Sequence, residues 1–198
     1  MAKEVSFRQF PLKNNRQGGS PNMGLFSKKT KELVYDTAEC EKKKALMRKM
    51  FDEAVPESGR YTILHATETT SKFQRGFVYD TNTTTFYHYI LGYRPADGQV
   101  VLVQIDRDLT QHSEAVFLDM EAITSVSYEP KYTQACLQYR KGYGSFGEIL
   151  DIGDTGSKTM YGIPDTVQAQ EREAFLDFLE TMRSRLEEAG HKQEKWKR

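Results

Sequence analysis

The stretch FYHYILGYRPADGQVVLVQID, residues 86–106, contains two runs of strand-forming residues on either side of a turn. Both runs are rich in the aromatic and β-branched residues that favour strands. The turn, Arg94–Gly98, contains proline and ends in Asp-Gly, a pair that tight hairpin turns prefer because it tolerates positive φ. The stretch therefore predicts an antiparallel hairpin whose second strand, residues 99–106, is apolar almost throughout.

Similar runs extend outward from this hairpin in both directions. They recur roughly every 8–12 residues, a spacing typical of an antiparallel sandwich or barrel. Asp80-Thr81-Asn82 supplies turn residues between two of them. The predicted strands are residues 60–68, 77–80, 86–93, 99–106, 115–119, 123–129, 135–141, 147–152 and 158–163.

A helix is predicted on each side of this strand-rich region. Residues 30–54 carry a partial apolar stripe with a 3.6-residue period, and the Pro56–Gly59 segment ends it. The second helix has an apolar stripe from Phe175 to Ala189 and a natural stop at Gly190. At its start, Asp165 followed three residues later by Gln168 resembles a capping box.

A series of short antiparallel strands followed by one amphipathic helix resembles the pleckstrin-homology-like superfold, over residues 60–189. The run FLDMEAITSVSYEP, residues 117–130, is similar to bacterial domains of this kind. The resemblance implies an α+β fold, namely a bent antiparallel β-barrel or sandwich capped by a C-terminal helix. This chain would carry an extra N-terminal helix. A lipocalin-like or cystatin-like α+β fold is the rival.

Four parts are expected along the chain. Residues 1–22 form a flexible arm, a tag, or a peptide tethered in front of the domain by a fusion, because Gly18-Gly19-Ser20 has a common linker composition. Met23-Gly24 looks like a second, bacterial start. Residues 23–59 form a helical segment, residues 60–190 the pleckstrin-homology-like domain, and residues 191–198 a basic tail.

The net charge of zero conceals basic ends and an acidic body. Residues 1–31 carry seven Lys/Arg against one acid, whereas residues 32–189 carry 17 basic and 26 acidic side chains, a net charge of −9. An acidic body argues against a nucleic-acid groove. No window of about 18 apolar residues predicts a membrane span. The two cysteines, Cys40 and Cys136, fit a reducing cytoplasm.

The segment GYGSFG, residues 142–147, matches the G-x-G-x-x-G pattern of phosphate-binding loops. A dinucleotide site needs a helix after the last glycine, and the sequence that follows is strand-like. A kinase needs H-R-D and D-F-G motifs, which the chain lacks. The segment is therefore interpreted as a glycine-containing turn. No metal or cofactor motif is found, and we expect a non-enzymatic protein, with an unidentified enzyme as an alternative.

A peptide or protein is the expected partner, since an extended peptide can add to an exposed sheet edge. The arm segment EVSFRQFPLK, residues 4–13, is basic, aromatic and strand-prone. It complements an acidic body, so we expect residues 5–12 to dock on a sheet edge. The predicted peptide contacts are Val5, Phe7, Phe10 and Leu12, and the predicted groove residues are Val126, Tyr128, Phe175 and Met182.

The first alternative to peptide binding is contact of the first strand loop with anionic lipid at a membrane surface, and the unidentified enzyme is the second. The resembled fold uses basic residues of its first two strands for phosphoinositides, and Lys72 and Arg75 lie near those positions. Phe77 stands where a second basic residue is expected. The sequence leaves the oligomeric state open.

Overall fold

A computed structural model of the chain describes residues 37–75, 81–153, 167–194 and 196. The chain begins there with helix α1 and, after a short 3₁₀ turn, forms seven strands and a final helix. The helices are α1 (Thr37–Ala54) and α2 (Ala169–Glu188), and the strands are β1 (Thr62–Gln74), β2 (Thr81–Arg94), β3 (Gln99–Ile105), β4 (Val116–Leu118), β5 (Ile123–Glu129), β6 (Gln134–Lys141) and β7 (Gly144–Asp151).

The seven strands form one open antiparallel sheet in the order β4-β3-β2-β1-β7-β6-β5. Strands β1 and β2 pair over their whole length, from Thr62 opposite Tyr93 to Gln74 opposite Thr81. The two edges of the sheet are the three-residue strand β4 and the seven-residue strand β5. The predicted α+β class, with a C-terminal helix and an extra N-terminal helix, is confirmed.

The junction between β1 and β7 is short. It comprises only the described pairs Thr67–Asp151 and Glu68–Leu150. Beyond these pairs, the side chain of Gln168 bonds to β1. It accepts a hydrogen bond from the N–H of His65 and donates one to its C=O, both at 2.8 Å. The same amide nitrogen lies 3.1 Å from the carbonyl of Gly153, just after β7. One buried carboxamide thus extends the pairing between the two halves of the sheet.

Two apolar layers cover the sheet. Helix α2 packs on one face, where Phe175 and Leu179 lie fully buried in a core cluster that includes side chains from all seven strands. Helix α1 packs on the opposite face of β2 and β3. Strand β3 is therefore buried on both sides, with Val100 facing α2 and Val101 facing α1. Double burial explains why its sequence is an unbroken apolar run instead of an alternating one.

Most strands form close to where the sequence predicts them, and the strand predicted at 123–129 is found at Ile123–Glu129. Two local predictions are wrong. Thr81 and Asn82 belong to β2 and do not form a turn. Gln168 is the residue just before α2 and makes no capping hydrogen bond, because its side chain pairs with β1 instead. The predicted strands at 77–80 and 158–163, Asp165, Phe77 and residues 1–36 lie outside the described residues.

The contact between α1 and β2 depends on a glycine. A Cβ atom on Gly92 would lie 2.3 Å from the Cζ atom of Phe51, which is fully buried. We expect Gly92→Ala to lower the free energy of unfolding by about 1–3 kcal/mol through overpacking. Urea denaturation measures the change, and Gly59→Ala, at a site with no neighbour within 4 Å, is the matched control. Equal stability of the two variants would contradict this packing.

Gln168 should be as important as an apolar core residue. Removing its amide in Gln168→Ala leaves the buried N–H and C=O of His65 without their side-chain partner. An unsatisfied buried group costs about 1–3 kcal/mol, so a loss of at least about 2 kcal/mol is expected from urea denaturation. Gln170→Ala, at an exposed position two residues along, is the control. A loss no larger than that of the control would show that the carboxamide is dispensable.

Candidate interaction site

The edge strand β5 directs some of its main-chain groups away from the sheet. Main-chain groups in an antiparallel strand point alternately toward one neighbour and away from it. Val126 lies on the outward side, because its N–H bonds to a residue beyond the sheet, and alternation places Tyr128 on the same side. This outward edge of β5, from Thr124 to Tyr128, is called the β5 edge below.

The residue that reaches the β5 edge is Gln193, in the segment after α2. Its Oε1 accepts a hydrogen bond from the N–H of Val126 at 3.1 Å. Its Nε2 donates to the carbonyl of Thr124 at 2.9 Å. A carboxamide carries the same donor and acceptor as a peptide group, so Gln193 does what one residue of an added strand would do.

A groove of about 690 Å³ adjoins the β5 edge. One wall is a row of residues in register across three strands, Ser127 on β5, Cys136 on β6 and Ile149 on β7. Ile149 is 54% exposed, which leaves an apolar surface in the groove. The other walls are the turn after β5 and the tail residues Glu194 and Trp196.

The groove holds two acidic side chains, Glu129 and Glu194, and one basic side chain, Lys131. Burial raises the pKa of the Cys136 thiol, and a hydrogen bond from Ser127 lowers it by less. A thiol with a raised pKa stays protonated at neutral pH and is a poor nucleophile. The groove therefore suits recognition of an apolar or basic segment better than covalent chemistry.

The four predicted groove residues lie on the two elements expected to frame the site, β5 and α2. Their side chains are buried, however, with exposures of 0% for Val126, Phe175 and Met182 and 8% for Tyr128. A ligand at the β5 edge would meet the main chain of Val126 and Tyr128, while Phe175 and Met182 support the edge from the core. The predicted ligand residues Val5, Phe7, Phe10 and Leu12 lie outside the described residues.

The residues of the lipid alternative lie far along the β1–β2 hairpin. Lys72 is exposed on β1 opposite Thr83, and Arg75 is exposed just after β1 ends. The next five residues, 76–80, are outside the described part of the chain. Neither of the two described helices is long and apolar enough to cross a membrane.

Only the first two residues of GYGSFG, Gly142 and Tyr143, form the predicted turn, which joins β6 to β7, and the other four already belong to β7. Gly142 occupies the tight turn with φ of +60°, and Gly144 opens β7 opposite Lys141. A strand, not a helix, follows the last glycine. The geometry of a helix N-terminus on which a pyrophosphate could sit is therefore not formed here.

Sequence reasoning missed a buried histidine pair formed by His65 on β1 and His88 on β2. His65 Nε2 lies 3.2 Å from His88 Nδ1, and the two side chains are 0% and 2% exposed. Burial lowers the pKa of His65 to about 3, with a smaller effect of His88. Burial also lowers the pKa of His88 to about 4, assisted by Arg107 and opposed by Asp106. Both rings are therefore neutral at pH 7.

Two tyrosine–glutamate pairs lie on the face of the sheet that α2 covers. Tyr89 donates to Glu68 and Tyr139 donates to Glu148, each at 3.0 Å. Burial, reinforced by the carboxylates, raises the pKa of both tyrosines. The raised pKa values of the two hydroxyls lie further from neutral pH, whereas a general acid or base works best when its pKa is near the operating pH. In the described residues no three His, Cys, Asp or Glu side chains are grouped to hold a metal ion.

The histidine pair predicts a pH dependence of stability. Below pH 6.5 the unfolded chain protonates both histidines, whereas the folded chain protonates them only near pH 4 and pH 3. The free energy of unfolding should therefore fall as the pH drops from 7 to 4, by up to about 1.4 kcal/mol per pH unit for each histidine. Urea denaturation at several pH values measures this slope. His88→Leu should flatten it, and an unchanged slope would contradict the assignment.

Comparisons of the chain with protein-family models, with curated proteins and with solved structures find no match. The features of the described residues that bear on function are the β5 edge, its groove and the charges around them.

Proposed function

We propose that the chain is a non-enzymatic protein- or peptide-interaction module that binds an extended peptide at the β5 edge. The observation that carries the proposal is the pair of hydrogen bonds between Gln193 and β5. They mark this edge as a place where a foreign peptide group fits. The seven antiparallel strands followed by α2 are compatible with a bacterial pleckstrin-homology-like domain.

The surroundings of the β5 edge favour an apolar or basic peptide. Ile149 offers an exposed apolar surface, and Glu129 offers a carboxylate. The body of the chain is acidic, with a net charge of −9 over residues 32–189. Charge complementarity of this kind raises association rates and specificity more than affinity. Residues 5–12, or a segment like them, meet these requirements.

In an added strand, side chains alternate between the two faces of the sheet. Phe7 and Phe10 are three residues apart and so fall on opposite faces. One ring would enter the groove beside Ile149, and the other would lie toward α2. Buried aromatic anchors commonly supply most of the binding energy of an interface. The two phenylalanines are therefore the expected anchors.

Binding in trans tests the proposal. The receptor is the full chain with Phe7→Ala and Phe10→Ala, which weakens its own arm as a competitor. A fluorescein-labelled peptide of residues 3–13 is titrated and followed by anisotropy. We expect saturable binding, and a peptide with both phenylalanines changed to alanine should bind at least about tenfold more weakly, since each anchor is worth more than about 1 kcal/mol. No binding, or equal binding of the two peptides, would overturn the proposal.

A second receptor separates peptide binding from lipid contact. Lys72→Glu with Arg75→Glu changes two exposed residues on the β1–β2 hairpin, away from the β5 edge. We expect this receptor to bind the peptide as the parent does. Sedimentation with phosphatidylserine vesicles provides the other readout. Salt-dependent vesicle binding that is lost in this variant, without peptide binding, would favour the lipid alternative.

A further inference from the structure

We infer that the tail after α2 is a built-in occupant of the β5 edge, which a partner strand carrying an aromatic residue displaces. The tail here means residues 191–194 and 196. This inference rests on the proposed function, and it adds both the chemistry of the partner and the regulation of the site.

The chain turns toward β5 immediately after α2. Gly190 adopts φ of +88°, and the N–H of His191 bonds back to the carbonyl of Leu186 at 2.9 Å. This is the Schellman arrangement, in which a left-handed residue ends a helix and redirects the chain. The next residues bring Gln193 onto Val126 and Thr124. The position of the tail is thus set by the C-terminal end of α2.

Trp196 is the second point of attachment. Its ring packs against the core cluster on the α2 side of the sheet, and the guanidinium of Arg183 lies 4.7 Å from the ring centroid. A cation over an aromatic face is attractive. The seat of Trp196, between the core and Arg183, therefore accepts a large flat side chain beside the β5 edge.

The tail holds the β5 edge less completely than a strand would. Gln193 satisfies one N–H and one C=O through a side chain, whose rotamers must be frozen to do so. A strand would add main-chain bonds at Val126 and Tyr128 together. The indole Nε1 of Trp196 is buried with no hydrogen-bond partner among the described residues, and this weakens the attachment of the Trp196 side chain. A partner that supplies main-chain groups and an aromatic ring can therefore replace the tail.

The protein carries its own reporter for this exchange, because Trp196 is its only tryptophan. Gln193→Glu removes the donor to Thr124 and places a carboxylate against that carbonyl, so the tail should leave the edge. We expect Trp196 emission to shift to longer wavelength and acrylamide quenching to increase. Gln170→Glu makes the same chemical change at an exposed site on α2 and should leave both unchanged. An unchanged spectrum in Gln193→Glu would overturn the inference.

Affinity gives the second readout. The peptide of residues 3–13 contains no tryptophan, so its binding to the Phe7→Ala/Phe10→Ala receptor can be followed through Trp196. We expect binding to shift the emission to longer wavelength. Adding Gln193→Glu to the receptor should lower Kd about tenfold, as expected for removing a competitor held by about two hydrogen bonds.

The possible failures are distinguishable. Peptide binding with the same Kd in both receptors, and no change of Trp196 emission, would overturn the role of the tail while leaving peptide binding intact. Absence of binding in both receptors, read by anisotropy of the labelled peptide, would overturn the proposed function and this inference with it. Gln193→Ala is the second variant, and it should act in the same direction as Gln193→Glu without adding charge.

Discussion

The two halves of the sheet are held together at a junction that depends on the carboxamide of Gln168. Two residue pairs alone join β1 to β7 in the described part of the chain, and Gln168 adds bonds to His65 and to the carbonyl after β7. Because Gln168 immediately precedes α2, the same bonds fix where that helix begins. The helix then covers one face of both halves of the sheet. The same side chain therefore joins the two halves of the sheet and places the helix that covers them.

Just beyond the other end of α2, Gln193 bonds to the main chain of β5 in the same way. One glutamine pairs with the inner strand β1 and the other with the edge strand β5, so α2 is fastened to the sheet at both ends by side chains that imitate peptide groups. The two contacts differ in burial. Gln168 is 2% exposed and satisfies groups that water cannot reach, whereas the contact of Gln193 is only partly buried. The first is structural, and the second is the contact that the proposed partner strand would displace.

The sequence predicts what depends on local periodicity. The strand at residues 123–129, the hairpin around Arg94–Gly98 and the apolar stripe of α2 all follow from patterns within a few residues, and the structure contains them. The glutamine contacts could not be predicted in this way. Gln168 lies 103 residues from His65 and Gln193 lies 67 residues from Val126, so no local pattern records the pairing. The β1–β2 hairpin is likewise longer than predicted. Its outer part is polar and exposed, so no apolar pattern in the sequence marks it as strand.

An open sheet has edges that can pair with other chains, and proteins protect them. Strand β4 has only three residues, which is too short to pair well with another chain. Strand β5 has seven residues, so its edge needs a cover. A covering strand would protect β5 permanently and leave no site. Gln193 and Trp196 lie at this edge instead, and the inferred exchange with a partner strand requires that they be replaceable. The weakness of this cover would be a defect in a purely structural edge, but the proposed binding of a partner strand at β5 requires it.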